Sequence, residues 1–138
     1  MSMSSTAPGA TSDTIDAIAT VITQSYFQGA FNALDTAAMA RGFHPDFAIL
    51  GAEGEHMDRY ALGTWLAAIE ARKAQPGFDS ASVRRDCKII SIDATANVGA
   101  AKVEIYKDGA LLYTDYLSLI RFGAQWKIAS KVYAEHAN

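Results

Sequence analysis

Residues 98–122 read VGAAKVEIYKDGALLYTDYLSLIRF, and they decide the fold. Apolar and polar residues alternate on both sides of Asp108-Gly109, a pair that favours a two-residue type I′ turn. The stretch therefore predicts two antiparallel strands, at about 98–107 and 111–122. The same period of two continues outward. Ala96-Asn97 predicts a turn after a strand at about 83–94, and Gly123-Ala124 predicts a turn before one at about 126–134. Four consecutive strands make a meander.

Upstream the period changes. Ile15, Ile18, Ile22 and Tyr26 recur at three- and four-residue steps, and Phe27, Phe31 and Leu34 form a neighbouring stripe. The pattern predicts a helix over 14–34, capped by Thr11 or Ser12, with an apolar face wide enough to be covered on more than one side or to wall a cavity. Asp35 predicts the start of a short second helix that ends at Gly42. Phe43 to Asp46 reads as a turn, Phe47 to Leu50 as a short strand, and Gly51 to Glu55 as a loop. Asp58 is expected to cap a third helix carrying Leu62, Trp65, Leu66 and Ile69, stopped by Gln75-Pro76-Gly77. Helices first and strands last predict an α+β fold: three N-terminal helices packed on one face of a curved, mainly antiparallel sheet. Residues 1–13, rich in Ser, Thr, Ala and Gly, read as a disordered lead-in, and 14–138 as a single domain.

Composition narrows the function. Of 138 residues 50% are hydrophobic, enough for a core without disulfides or metals, and the net charge of -3 gives no basic footprint for nucleic acid. No apolar run reaches the ~18 residues of a membrane span. Cys87 is the one cysteine, so no internal disulfide is possible; it reads as a small buried thiol, and the protein as cytoplasmic. Metal-ligand spacing, a Gly-rich phosphate loop and a nucleophile elbow are all missing, so neither metal nor cofactor is expected.

Tyr26-Phe27-Gln28-Gly29, Asp35, Phe43-His44-Pro45-Asp46-Phe47, Tyr113 to Leu117, Trp126-Lys127-Ile128 and Lys131-Val132-Tyr133 resemble one family pattern. It is that of the cone-shaped superfamily of nuclear transport factor two, ketosteroid isomerase and the SnoaL-like polyketide cyclases, and within it the lumazine-binding-like branch. The resemblance covers about 14–134. It implies a cystatin-like cone around an apolar pocket for a small molecule, and a homodimer through the outer face of the sheet. It does not carry over the ketosteroid isomerase chemistry. Anchored on Asp35 and Arg121-Phe122, the positions of the tyrosine, the base and the acid hold Phe27, Gly51 and Ser118, although Tyr26 stands next to Phe27.

The polar candidates depend on hairpin register. A two-residue turn at Asp108-Gly109 places Thr114 opposite Val103 and Tyr116 opposite Ala101. With a two-residue turn at Gly123-Ala124, Tyr116, Ser118, Lys131 and Tyr133 then share one patch of pocket wall. One extra residue in the second turn would instead put Lys131 diagonal to Asp115. The expected ligand-binding residues are Tyr26, Phe27, Phe31, Phe43, Trp65, Tyr116, Ser118, Lys131 and Tyr133. Lys131 would meet an acidic or carbonyl group, or else lie at the rim with its head in water. Asp115 would act as base or acceptor, or else pair with Lys102 across the strands. His44 would reach the pocket, or else bond local backbone. The catalytic candidates are Asp115, Lys131 and His44.

Three functions follow: a dimeric small-molecule-binding domain with an aromatic pocket; an enzyme of dehydratase, isomerase or polyketide-cyclase type acting on a small carbonyl compound; or, ranked below both, a protein-interaction module that uses the sheet face for a partner chain. The binding domain predicts that no titratable group is buried inside the cone, whereas the enzyme requires a perturbed acid or base there.

Overall fold

The computed structural model describes residues 10–136, so residues 1–9 of the expected lead-in lie outside the described residues. Helix α1 spans Ser12–Val21, with the Thr11 side chain accepting from the Thr14 N–H. The helix then widens into a π-helical segment, Ile22–Asn32, whose end is marked by the Ala33 N–H donating to the Gln28 carbonyl at 2.7 Å. The five-residue step brings Tyr26 and Phe31 together, with ring centroids 5.3 Å apart, a contact that a regular α-helical step does not make. The two stripes seen in the sequence merge into one broad buried face.

Helix α2, Thr36–Gly42, is capped by Asp35 and crosses the π segment at close range. A Cβ on Gly42 would fall 2.0 Å from Ser25 Oγ, and one on Gly29 2.8 Å from Met39 Cγ. Strand β1, Phe43–Glu53, follows directly, so the expected turn at Phe43–Asp46 is the irregular start of a strand. The expected loop at Gly51–Glu55 is instead the tip of a hairpin, turned at Gly54 with φ 60°, that leads into β2, His56–Ala61. Asp58 therefore pairs with Gly51 inside the hairpin, and the next helix, α3, begins later, at Leu62–Lys73. A short 3₁₀ turn at Ser80–Val83 takes the place of the expected first residues of the third strand. Strands β3 (Asp86–Thr95), β4 (Val98–Lys107), β5 (Ala110–Phe122) and β6 (Gln125–Glu135) form the meander. The whole is an α+β fold on a six-stranded sheet in the order β2-β1-β6-β5-β4-β3, antiparallel except where β1 runs parallel to β6.

The Asp108-Gly109 turn has φ of 52° and 82°, as a type I′ turn requires, and Lys107 pairs with Ala110. The expected register nevertheless fails three residues further on. Tyr106 pairs with Leu111 but Ile105 pairs with Tyr113, leaving Leu112 as the extra residue of a bulge. Asp115, not Thr114, then faces Val103, and Leu117, not Tyr116, faces Ala101. A second bulge lies at Ala129, between the pairs Leu119–Ile128 and Ser118–Ser130. Because side chains alternate, the first bulge turns Asp115, Leu117 and Leu119 inward and Tyr116 and Ser118 outward. The second keeps Lys131 and Tyr133 on the inner face, so Lys131 pairs with Leu117 and lies diagonal to Asp115.

The core sits between this inner face and the helices. Ile18, Ile22, Tyr26, Met39 and Phe43 pack against Val103, Ile105, Leu119 and Ile128. Among the described residues, no helix is long and apolar enough to cross a membrane.

The close crossing of α2 gives a stability prediction. Gly42→Ala should cost about 1–3 kcal/mol through its clash with Ser25. Gly51→Ala, with nothing within 4 Å of the added methyl, should not destabilise. Urea midpoints of the two variants check this, and equal midpoints would contradict the packing at Gly42.

Candidate functional site

Three elements converge on one buried polar cluster. The π segment supplies Tyr26, β5 supplies Asp115 and β6 supplies Lys131, exposed by only 1%, 1% and 6%. The Tyr26 hydroxyl donates to Asp115 Oδ2, and Lys131 Nζ donates to the Tyr26 hydroxyl at 2.9 Å. The phenol thus links a carboxylate to an ammonium. The ammonium also lies 4.8 Å from the Tyr26 ring centroid, 4.9 Å from that of Trp65 and 5.2 Å from that of Tyr133. These ring faces offset part of its lost hydration. Asp115 Oδ1 is buried with no partner.

Burial sets the electrostatics. It raises the Asp115 carboxyl above its ordinary value, against the opposing pull of Lys131 and Tyr26. It lowers the Lys131 amine to about 8, with Asp115 resisting. Tyr26 is held well above an ordinary phenol, first by burial and then by the Asp115 charge. Acid and base are therefore pushed towards one another, the pattern by which sites ready a proton for transfer.

Aromatic rings enclose the cluster. Phe27, Phe31, Phe43 and Trp65 stand 5.7, 5.3, 6.1 and 6.1 Å from Tyr26, and Phe47 stacks on Trp65 at 5.9 Å. Tyr133 meets Tyr113 edge to face at 5.5 Å. Beside the cluster is a cavity of about 480 Å³ lined by Ile49, Asp58, Tyr60, Tyr133 and Glu135. Ile49 pairs with Lys131 across the β1–β6 seam and the Tyr133 ring lies 5.2 Å from its Nζ, so two wall residues of this cavity neighbour Lys131, which does not itself line it. A separate cleft of about 810 Å³ lies where Phe27 and Asn32 face Arg85, Cys87 and Lys88. There burial pushes the Cys87 thiol up to about 12, which keeps it protonated and unreactive.

Other sequence candidates stand elsewhere. Tyr116 is 51% exposed on the outer face, and Ser118 bonds Ser130 there at 2.6 Å. The Leu112 bulge removes both from the wall where the simple register placed them. His44 accepts the Asp46 N–H at 3.0 Å and lies 4.9 Å from the Phe122 ring, a local role outside the cluster. Among the described residues, no group of three or more His, Cys, Asp or Glu side chains is placed to hold a metal.

A family model described as "Putative lumazine-binding" matches residues 13–134. The chain belongs to this putative lumazine-binding family. No curated protein matches it. Among solved structures, an NTF2-like protein of unknown function from Silicibacter pomeroyi DSS-3 is 21% identical, with TM-score 0.70 over 92% of this chain and 99% of that one. Another from Shewanella baltica OS155 is 19% identical, with TM-score 0.71 over 94% and 99%. A cystatin-like fold protein from Burkholderia xenovorans LB400 is 14% identical, with TM-score 0.67 over 95% and 98%. At these identities the likeness is one of fold.

In this member of the family, the sequence does not reveal the wall formed by Ile49, Asp58 and Tyr60, because the residues of β2 read as loop and cap. Gly54 is the one local signal for that hairpin, because the flanking residues 47–53 and 56–61 do not alternate in polarity.

The cluster predicts strong coupling. Lys131→Met leaves Asp115 buried without its cation and should cost about 3–5 kcal/mol at neutral pH. Adding Asp115→Asn should recover part of that loss, as a denaturation cycle over the two variants would show; strictly additive losses would contradict the coupling. Lys131 also gives a pH sign. Its folded value, about 8, lies below the ordinary 10.5, so the unfolded chain binds more protons in between. Wild type should therefore gain stability relative to Lys131→Met as the pH rises from about 8 towards 10.5.

Proposed function

We propose that the protein is a small-molecule-binding domain whose ligand enters the cavity beside Lys131 and Tyr133 and presents a neutral carbonyl group to the Lys131–Tyr26–Asp115 cluster. The observation that carries this is the buried Lys131 ammonium, which has one hydrogen-bond acceptor, the Tyr26 hydroxyl, so a carbonyl oxygen would supply a second. A ligand that both accepts from the Lys131 side and donates to Asp115 completes the network. Asp58 and Glu135 line the same cavity and repel a carboxylate, and the Lys131 charge is already balanced by Asp115 through the phenol. Both points favour a carbonyl over an acid.

The enzyme reading is favoured by the burial of Asp115 and Lys131, where the binding reading expects no buried titratable group. Asp115 is raised and Lys131 lowered, with one hydroxyl between them, so a proton has a path across the cluster. That suits dehydration, isomerisation or cyclisation of a carbonyl substrate.

The outer sheet face supports a homodimer. Met57, Ile90, Tyr116 and Val132 are large, exposed and apolar, and Tyr116 pairs with Val132. The same reading keeps the protein in the cytoplasm, with Cys87 a free thiol.

Acetophenone and benzoate are matched probes of the ligand reading, with quenching of Trp65 fluorescence as the signal. Acetophenone should bind more tightly, and Lys131→Met should weaken it by roughly tenfold or more, the scale of one charge-assisted hydrogen bond. Tighter binding of benzoate would overturn the carbonyl preference. For the interface, Tyr116→Lys with Val132→Asp should convert a dimer to a monomer in sedimentation velocity; a wild-type monomer would end the proposal.

A further inference from the structure

We infer that Lys131 is a covalent trap for carbonyl compounds: its Nζ adds to the carbonyl carbon of an aldehyde or ketone seated in the adjoining cavity and forms an imine, while Tyr26 and Asp115 carry the proton. This rests on the carbonyl-binding reading above and deepens it.

The surroundings of Nζ differ from those of the other lysines. Lys73 bonds the Leu34 carbonyl and Glu70, Lys127 bonds the Arg41 carbonyl, and Lys88 and Lys102 lie over Tyr106 and Tyr116. Lys131 is the one buried lysine among the described residues. It has one hydrogen-bond acceptor, the Tyr26 hydroxyl, and its remaining N–H bonds face rings. Among the described residues no carboxylate lies within ion-pair distance of Nζ. An ammonium held in this way is released as a free amine more readily than one clamped by a carboxylate, and desolvated amines are the ones enzymes use as nucleophiles.

The route for the proton is already in place. Lys131 passes a proton to the Tyr26 oxygen as Tyr26 passes its own to Asp115 Oδ2. The ammonium and carboxylate become amine and carboxylic acid, and two buried charges vanish together, which the apolar surroundings favour. The amine lone pair then forms the N–C bond, the carbonyl π electrons move to oxygen, and a proton relayed from nitrogen gives a neutral carbinolamine. Asp115 returns its proton along the same route to the carbinolamine hydroxyl. The C–O bond breaks, water leaves, and the nitrogen lone pair forms the C=N bond. The sum is ammonium, carboxylate and carbonyl compound giving iminium, carboxylate and water, with no oxidant or reductant. Trp65 and Tyr133 lie on the ring-faced sides of Nζ, where they would flank a planar iminium and keep water from it. The cavity walls of Ile49, Tyr60 and Tyr133 suit a flat aromatic or unsaturated aldehyde or ketone.

The test treats the folded protein with benzaldehyde and cyanoborohydride, then locates the added benzyl groups by peptide mapping. The expected result is one addition per chain at Lys131 before the exposed lysines react. Tyr26→Phe, shown folded by circular dichroism, should slow that addition by about 10²-fold through loss of the relay. Labelling of Lys131 no faster than of Lys88 or Lys102 would overturn the inference. Acetophenone binding, measured on the same sample, separates the two levels. Retained binding without labelling removes the imine alone; loss of both removes the carbonyl pocket as well.

Discussion

Two opposite charges are buried in one small core, and the rest of the structure is arranged to make that tolerable. An unpaired ammonium or carboxylate at the depth of Lys131 or Asp115 would remove a large part of the stability of a domain of this size. The Tyr26 hydroxyl prevents this by bonding both at once. It needs its helix held at a fixed distance from the sheet. The glycine crossing of α2 at Ser25 and Met39 and the aromatic packing around Tyr26 supply that. The widened helical turn brings Phe31 beside the same ring, so the segment that donates the phenol also shields it from water.

The sheet meets the same demand by different means. In a regular meander with two-residue turns, Asp115 and Lys131 point to opposite faces. One bulge turns Asp115 inward and another keeps Lys131 there, leaving the two diagonal on one wall. A third irregularity, at Ile90, adds to the curvature. The bulges shape the cone and also equip it.

This cluster bears on the choice between a passive pocket and a reactive one. A pocket that only stores an apolar ligand has no need of a buried acid and amine, whose presence costs stability that an apolar core would not. Residues that break the rules of core composition without a packing reason are where function is concentrated. The aromatic walls and the unpartnered Asp115 oxygen surround one amine, and Tyr133 links that amine to the neighbouring cavity.

Periodicity alone determined the helices, the meander, the α+β class and the roll of aromatic, acidic and basic candidates, because apolar spacing and turn chemistry are local properties. Tyr26, Asp115 and Lys131 were each visible as residues of interest. Of their association only the Lys131–Asp115 diagonal was open, as one of two registers, because it depends on which face each strand presents. With a side-chain period of two, a single extra residue reverses the face, and the extra residues here, Leu112 and Ala129, are ordinary strand formers without a local signature. The β1–β2 hairpin was hidden for a related reason: its pairing with β6 is made across most of the chain, and only packing selects it over a loop. The sequence by itself settled which groups are available; the register chosen by burying the apolar face settled which of them meet.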